Sequence, residues 1–140
     1  MAAKRKSVAL VIVAHVPLAS ALLEVAQHVL GTDAPVHAID IEPGACAQDS
    51  TQSLLTRLET LNEGAGVLLM TDLPGASPSN ICVSAAHVLN QTEPTCQVIS
   101  GVNPAMVLRA INYRHQDLMT LADQSLQGGV RAIQSLNSLA

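Results

Sequence analysis

His15 and Asp72 are the residues of this chain best suited to chemistry. Each is the polar end of a short aliphatic run. Segment 8–14 reads VALVIVA before His15, and segment 66–71 reads GVLLMT before Asp72. A carboxylate that accepts from one imidazole nitrogen fixes the tautomer and leaves the lone pair of the other nitrogen free to attack an electrophile. It also offsets the positive charge that develops on the ring. Shortly after Asp72, Ser77 and Pro78 open a helix, a capping hydroxyl followed by proline at the first helical position. The N–H groups and positive dipole end of such a helix suit a dianionic phosphoryl group. Gly75 lets the loop backbone approach closely, and Asn80 falls in the first turn, where its amide can brace the loop. Each residue also has an ordinary structural use. A histidine after an apolar run is commonly a packing residue, Asp72 can open a turn, and Ser77 can serve only as a cap.

The elements around these residues decide between the two uses. Both apolar runs are rich in β-branched residues, which suits strands buried on both faces of a parallel sheet. After His15, Pro17 begins a helix in which Leu18, Leu22, Val25 and Val29 recur at helical spacing, and Gly31 ends it. Segment 36–41 reads as a second strand. A helix over 45–61 follows, with Leu54, Leu58 and Leu61 as its buried stripe. The third strand ends at Asp72, and the next helix turns Ile81, Ala85 and Val88 inward. A fourth strand covers 96–100 and the loop 101–104 follows. Helices are expected over 105–112 and 116–126, the latter closing at Gly128 and Gly129. Segment 130–139 reads equally as a short helix or a strand. This alternation predicts a single α/β domain, 1–140, with residues 1–6 a flexible basic arm. Right-handed crossovers make it a three-layer sandwich around a mostly parallel sheet. In the order 2-1-3-4, the first and third strands are neighbours at the switch point, where such sheets bind ligands at their carboxyl ends. That order brings His15, Asp72, the loop before Ser77 and the loop 101–104 around one crevice.

Composition narrows the function. The chain has 140 residues, no Phe or Trp, and Tyr113 as its one aromatic, so the core is aliphatic. The net charge of −4 and the lack of aromatic platforms argue against nucleic acid. No stretch reaches the ~20 apolar residues that span a bilayer, so no membrane insertion is expected. Residues 4–21 imitate a secretory leader, but His15 and Pro17 interrupt the apolar run and the following helix is one a mature domain needs; a cytoplasmic location is expected. Cys46, Cys82 and Cys96 lack CxxC spacing and read as small buried thiols in a reducing compartment. His28, His37, His87 and His115 share no ligand spacing, so neither a metal nor a cofactor is expected.

The motifs VALVIVAH, LLMTDLPGASPSN and ISGVN resemble the mannose-type enzyme IIA domains of the bacterial phosphoenolpyruvate-dependent sugar phosphotransferase system. The resemblance covers nearly the whole chain, and Asp72, Gly75, Ser77, Pro78 and Asn80 carry its most specific part. It implies that His15 accepts a phosphoryl group from phospho-HPr on Nε2 and passes it to an enzyme IIB. Asp72 then orients and charge-balances the ring. Ser77 and the neighbouring positions Gly75, Ala76 and Asn80 form the phosphoryl-binding set. It further implies a homodimer in which a C-terminal strand, here 130–136, crosses to the partner, and an association with a membrane permease complex. The same histidine would equally serve a regulatory module whose phosphorylation state is sensed by a partner, or the phosphodonor of a dihydroxyacetone kinase, whose further domains are lacking here. The sequence departs from the family at Val16, where glycine is common, at Leu73 and Pro74, where polar or aromatic residues are common, and at Pro104, one position early.

Overall fold

The two aliphatic runs become the central strands of the sheet. The computed structural model describes residues 6–139, so most of the basic arm expected over 1–6 lies outside the described residues. The order is β1 (Ala9–His15), α1 (Leu18–Leu30), β2 (His37–Ile41), α2 (Ala47–Leu61), β3 (Val67–Thr71), α3 (Ser77–Leu89), β4 (Cys96–Ile99), α4 (Pro104–Tyr113) and α5 (Leu118–Arg131), closed by a 3₁₀ turn at Leu136–Leu139. The strands form one parallel sheet in the expected order β2-β1-β3-β4.

Strand periodicity splits the aliphatic residues between two cores. Leu10, Ile12 and Ala14 of β1, with Leu68 and Met70 of β3, face α1, α4 and α5. Val11 and Val13, with Val67 and Leu69, face α2 and α3. Every residue of β3 is buried. Each fully buried Leu, Ile or Val contributes roughly 1.5–3 kcal/mol, so these strands anchor both layers.

Some details differ from the sequence reading. On α1 the buried residues are Ala19, Leu22 and Ala26, whereas Leu18, Val25 and Val29 are exposed, Val29 by 59%. Small alanines let the helix backbone lie close to the sheet, so the larger side chains are displaced to the flanks. On α3, Ile81 and Ala85 are buried as expected, but Val88 is exposed, and Cys82 and Ala86 take up the inner face. Cys46 is exposed rather than buried. Gly128 and Gly129 do not end α5; both are buried within it. A Cβ on Gly128 would lie 2.7 Å from Arg109 Cβ, and one on Gly129 would lie 3.1 Å from Met106 Cβ. The two glycines therefore permit the close approach of α4 and α5. Residues 130–136 form no strand in this chain: Val130 and Arg131 complete α5, and the chain then runs irregularly into the 3₁₀ turn.

Candidate functional site

His15 closes β1 and Asp72 immediately follows β3. Because β1 and β3 are paired with Val13 beside Thr71, the two polar ends emerge together at the carboxyl edge of the sheet. The His15 ring reaches the carboxylate, with Nδ1 2.6 Å from Asp72 Oδ2. The same oxygen accepts the His15 main-chain N–H at 3.0 Å, and Oδ1 accepts the Leu73 N–H at 2.8 Å. A carboxylate only accepts, so Nδ1 carries the proton and Nε2 carries the lone pair. The His15 side chain is 48% exposed and that of Asp72 is 9% exposed: the ring is open to a partner while its support is covered.

Burial works to raise the Asp72 pKa. The His15 N–H, the His15 ring and the Leu73 N–H outweigh it and hold the carboxyl below the usual carboxylate value. Asp72 is therefore ionised whenever His15 needs a counter-charge near neutral pH. The loop after β4 fixes the same corner. Gly101 N–H donates to the Asp72 carbonyl at 2.8 Å, and Val102 N–H donates to that of Thr71 at 3.0 Å.

The loop 72–76 turns on Gly75, whose φ of +82° favours glycine. Asn80 Nδ2 donates to the Gly75 carbonyl at 3.2 Å, bracing the loop as expected. Ser77 is not the cap. Its neighbour Ala76 is the extended residue whose carbonyl accepts the first helical N–H, from Asn80 at 3.0 Å. Ser77 and Pro78 then occupy the first helical positions, and the exposed Ser77 makes no capping bond. The Ser79 hydroxyl instead donates to the Ala76 carbonyl. Ser77, Gly75, Ala76 and Asn80 thus surround one helix end, where the Ala76 N–H is taken by the Leu73 carbonyl at 3.2 Å.

That end differs from its neighbours. α1 to α4 each follow a strand, so their amino ends share the carboxyl edge with His15. Asp40 of β2 accepts the Ser20 N–H at 3.2 Å and also takes the Ser20 hydroxyl, which sets a carboxylate against the first turn of α1. α2 carries Asp49 in its first turn. Asn103 caps α4 by accepting from Met106 N–H. α3 has neither a side-chain cap nor an acid in its first turn, so its dipole is left uncompensated for an anion. No lysine or arginine occurs between Lys6 and Arg57, or between Arg57 and Arg109, so the loops of this edge offer neutral donors only. Asp40 was not among the residues expected here. Its one sequence signal is a carboxylate near the end of an otherwise apolar strand.

Among the described residues, no group of His, Cys, Asp and Glu could hold a metal ion, and no helix is long and apolar enough to cross a membrane. Val16 and Leu73, two of the departures from the family pattern, sit exposed beside the pair, Leu73 by 59%.

Residues 9–124 match the family described as PTS system fructose IIA component, EIIA-man. The chain belongs to this family. It is 31% identical, over an alignment of 134 residues that covers 92% of this chain, to the PTS system mannose-specific EIIAB component of Escherichia coli strain K12, and spans 40% of that relative. Phosphotransferase system component EIIA from Streptococcus agalactiae superposes with a TM-score of 0.82 at 22% identity, covering 94% of this chain and 98% of that one. The mannose/sorbose-specific IIA subunit from Enterococcus faecalis gives 0.81 at 22% identity, covering 93% and 95%. These structures share the fold.

Proposed function

We propose that this protein is a phosphohistidine carrier. His15 Nε2 attacks the phosphorus of phospho-HPr; the new N–P bond forms as the donor's P–N bond breaks, and HPr leaves with the electron pair. The group then passes by the same kind of exchange to a nucleophile of an enzyme IIB. The observation that carries this reading is the 2.6 Å contact of His15 Nδ1 with a carboxylate held in its ionised form. It leaves a nucleophilic nitrogen at an exposed position beside the uncapped end of α3. Asp72 orients the ring and balances its charge. The Ser77 N–H and hydroxyl receive the phosphoryl oxygens; the Ala76 N–H is engaged by the Leu73 carbonyl at 3.2 Å, so Ala76 joins Gly75 and Asn80 in holding that loop in place.

The exposed Val16 and Leu73 flank the ring and suit a protein donor better than a small molecule. Val130, Ile133 and Leu136 are exposed apolar residues at the carboxyl end, which supports a homodimer that covers them. A cytoplasmic component that meets a membrane permease complex through its IIB partner completes the proposal. Incubation with phosphoenolpyruvate, enzyme I and HPr should add the mass of one phosphoryl group, seen by intact mass spectrometry. A His15→Ala variant should gain none. No uptake by the wild type, or undiminished uptake by the variant, refutes the proposal.

A further inference from the structure

The helices nearest His15 in the chain's path through this edge are α1 and α3. α1 starts at Leu18, just after the strand that carries the imidazole, and α3 starts at Ser77, just after the loop that carries Asp72. Either amino end would attract a dianion by its N–H groups and dipole. Neither N-cap residue supplies a side-chain bond, and only α1 has a carboxylate bonded within its first turn. In α1, Asp40 Oδ1 accepts the Ser20 N–H at 3.2 Å and Oδ2 takes the Ser20 hydroxyl.

The register explains how Asp40 reaches that point. It lies beside Ala14, one step before the pairing of His15 with Ile41. Ala14 faces the core under α1 while Val13 faces the core under α2 and α3. Asp40 follows its register partner toward α1, and His15 continues the alternation of Val13 toward the α3 side. The carboxylate is thus placed against α1 without competing with Asp72 for the ring.

We infer that Asp40 is a positioning residue for phosphoryl transfer: its charge closes the amino end of α1 to a dianion and directs the group on His15 Nε2 to the amino end of α3. This rests on the phosphocarrier reading. Capping alone requires an acceptor for the Ser20 N–H, which a neutral amide supplies equally well. What the carboxylate adds is a negative charge between the α1 dipole and the incoming phosphoryl group.

Asp40→Asn removes that charge and keeps the acceptor. At equilibrium with a fixed pool of phospho-HPr, the ratio of phosphorylated to free protein should rise about two- to fivefold, the range a charge at a helix end commands. The thermal midpoint should stay close to that of the wild type. An unchanged ratio overturns the inference, as does a lowered midpoint with an unmoved ratio, which is the mark of a purely structural cap. A second measurement needs no variant. On phosphorylation of the wild type, the amide resonances of Ser77 and Ser79 should shift while those of Ala19 and Ser20 hold still. Comparable shifts at both helix ends overturn the inference. Failure of the wild type to take up a phosphoryl group is a separate result, and it removes the carrier reading itself.

Discussion

Replacing Asp72 by asparagine sets the contacts of this side chain against one another. In the wild type, Oδ2 accepts His15 Nδ1–H at 2.6 Å and the His15 main-chain N–H at 3.0 Å, while Oδ1 accepts Leu73 N–H at 2.8 Å. An amide has a single oxygen. With that oxygen toward His15, its NH₂ group opposes the Leu73 N–H. Flipped, it satisfies Leu73 and opposes the His15 main-chain N–H, and its NH₂ donates to Nδ1. That second arrangement moves the ring proton to Nε2 and removes the lone pair that must attack. Each arrangement keeps two hydrogen bonds and carries one opposed pair, so both are populated and about half of the molecules hold the wrong tautomer. Loss of charge assistance at the ring costs about 1–1.5 kcal/mol more, near tenfold in rate. Together they lower the rate of phosphoryl acceptance about 10- to 25-fold. Rapid-quench phosphorylation by phospho-HPr measures this directly, and ring ¹⁵N shifts report the tautomer. A variant within about threefold of wild type, or a wild-type ring protonated on Nε2, refutes the reasoning.

The same variant tests the pH dependence. The Asp72 carboxyl, titrating near 3.8 when unfolded, is held below that value in the fold. Its stabilising contribution is therefore complete above that pH and is lost as pH falls through the folded value. Thermal midpoints of wild type and Asp72→Asn, measured from neutral to acid pH, should accordingly converge below the unfolded value and separate above it. Gly128→Ala should destabilise: its Cβ would lie 2.7 and 2.8 Å from Arg109 Cβ and Cγ. Overpacking of about 1–3 kcal/mol outweighs a helix-propensity gain of about 1 kcal/mol, and calorimetry should find the midpoint lowered by about 3–6 °C; a raised midpoint would mean that α4 and α5 do not approach so closely. A thiol reagent should modify Cys46 rapidly in the native protein. Cys82 and Cys96 are buried, burial pushes their thiols up to about 12, and they should react only on unfolding.

The paired polar ends were legible in the sequence because two strong signals coincide there. Aliphatic β-branched runs define the strands, and the switch-point rule brings the ends of the first and third together. The packing of α1 was harder to read. Its sequence holds two apolar stripes, and the larger one, through Leu18, Val25 and Val29, is the exposed one; contact with a sheet selected the alanines. Gly128 and Gly129 carry the same signature as a helix stop, and only the neighbour α4 explains why they lie inside α5. Ser77 precedes a proline, the usual mark of a cap, yet the cap shifted by one residue because the Ala76 carbonyl accepts the first helical N–H. The expected strand over 130–136 came from family likeness, and a strand exists only where a neighbour pairs with it. Asp40 is the residue that local pattern hides most completely, since its meaning depends on Ser20, across a strand–helix crossover.

The absence of lysine and arginine from the loops around His15 bears on selectivity in a crowded cell. A cradle of neutral N–H groups beside a carboxylate holds free phosphate or sulfate weakly, because nothing there compensates the cost of stripping water from a doubly charged ion. The same donors become useful once the phosphorus is covalently joined to the ring, since the bond itself delivers the oxygens to them. Such a surface is blind to the abundant inorganic anions around it and responds to a phosphoryl group only when another protein brings one.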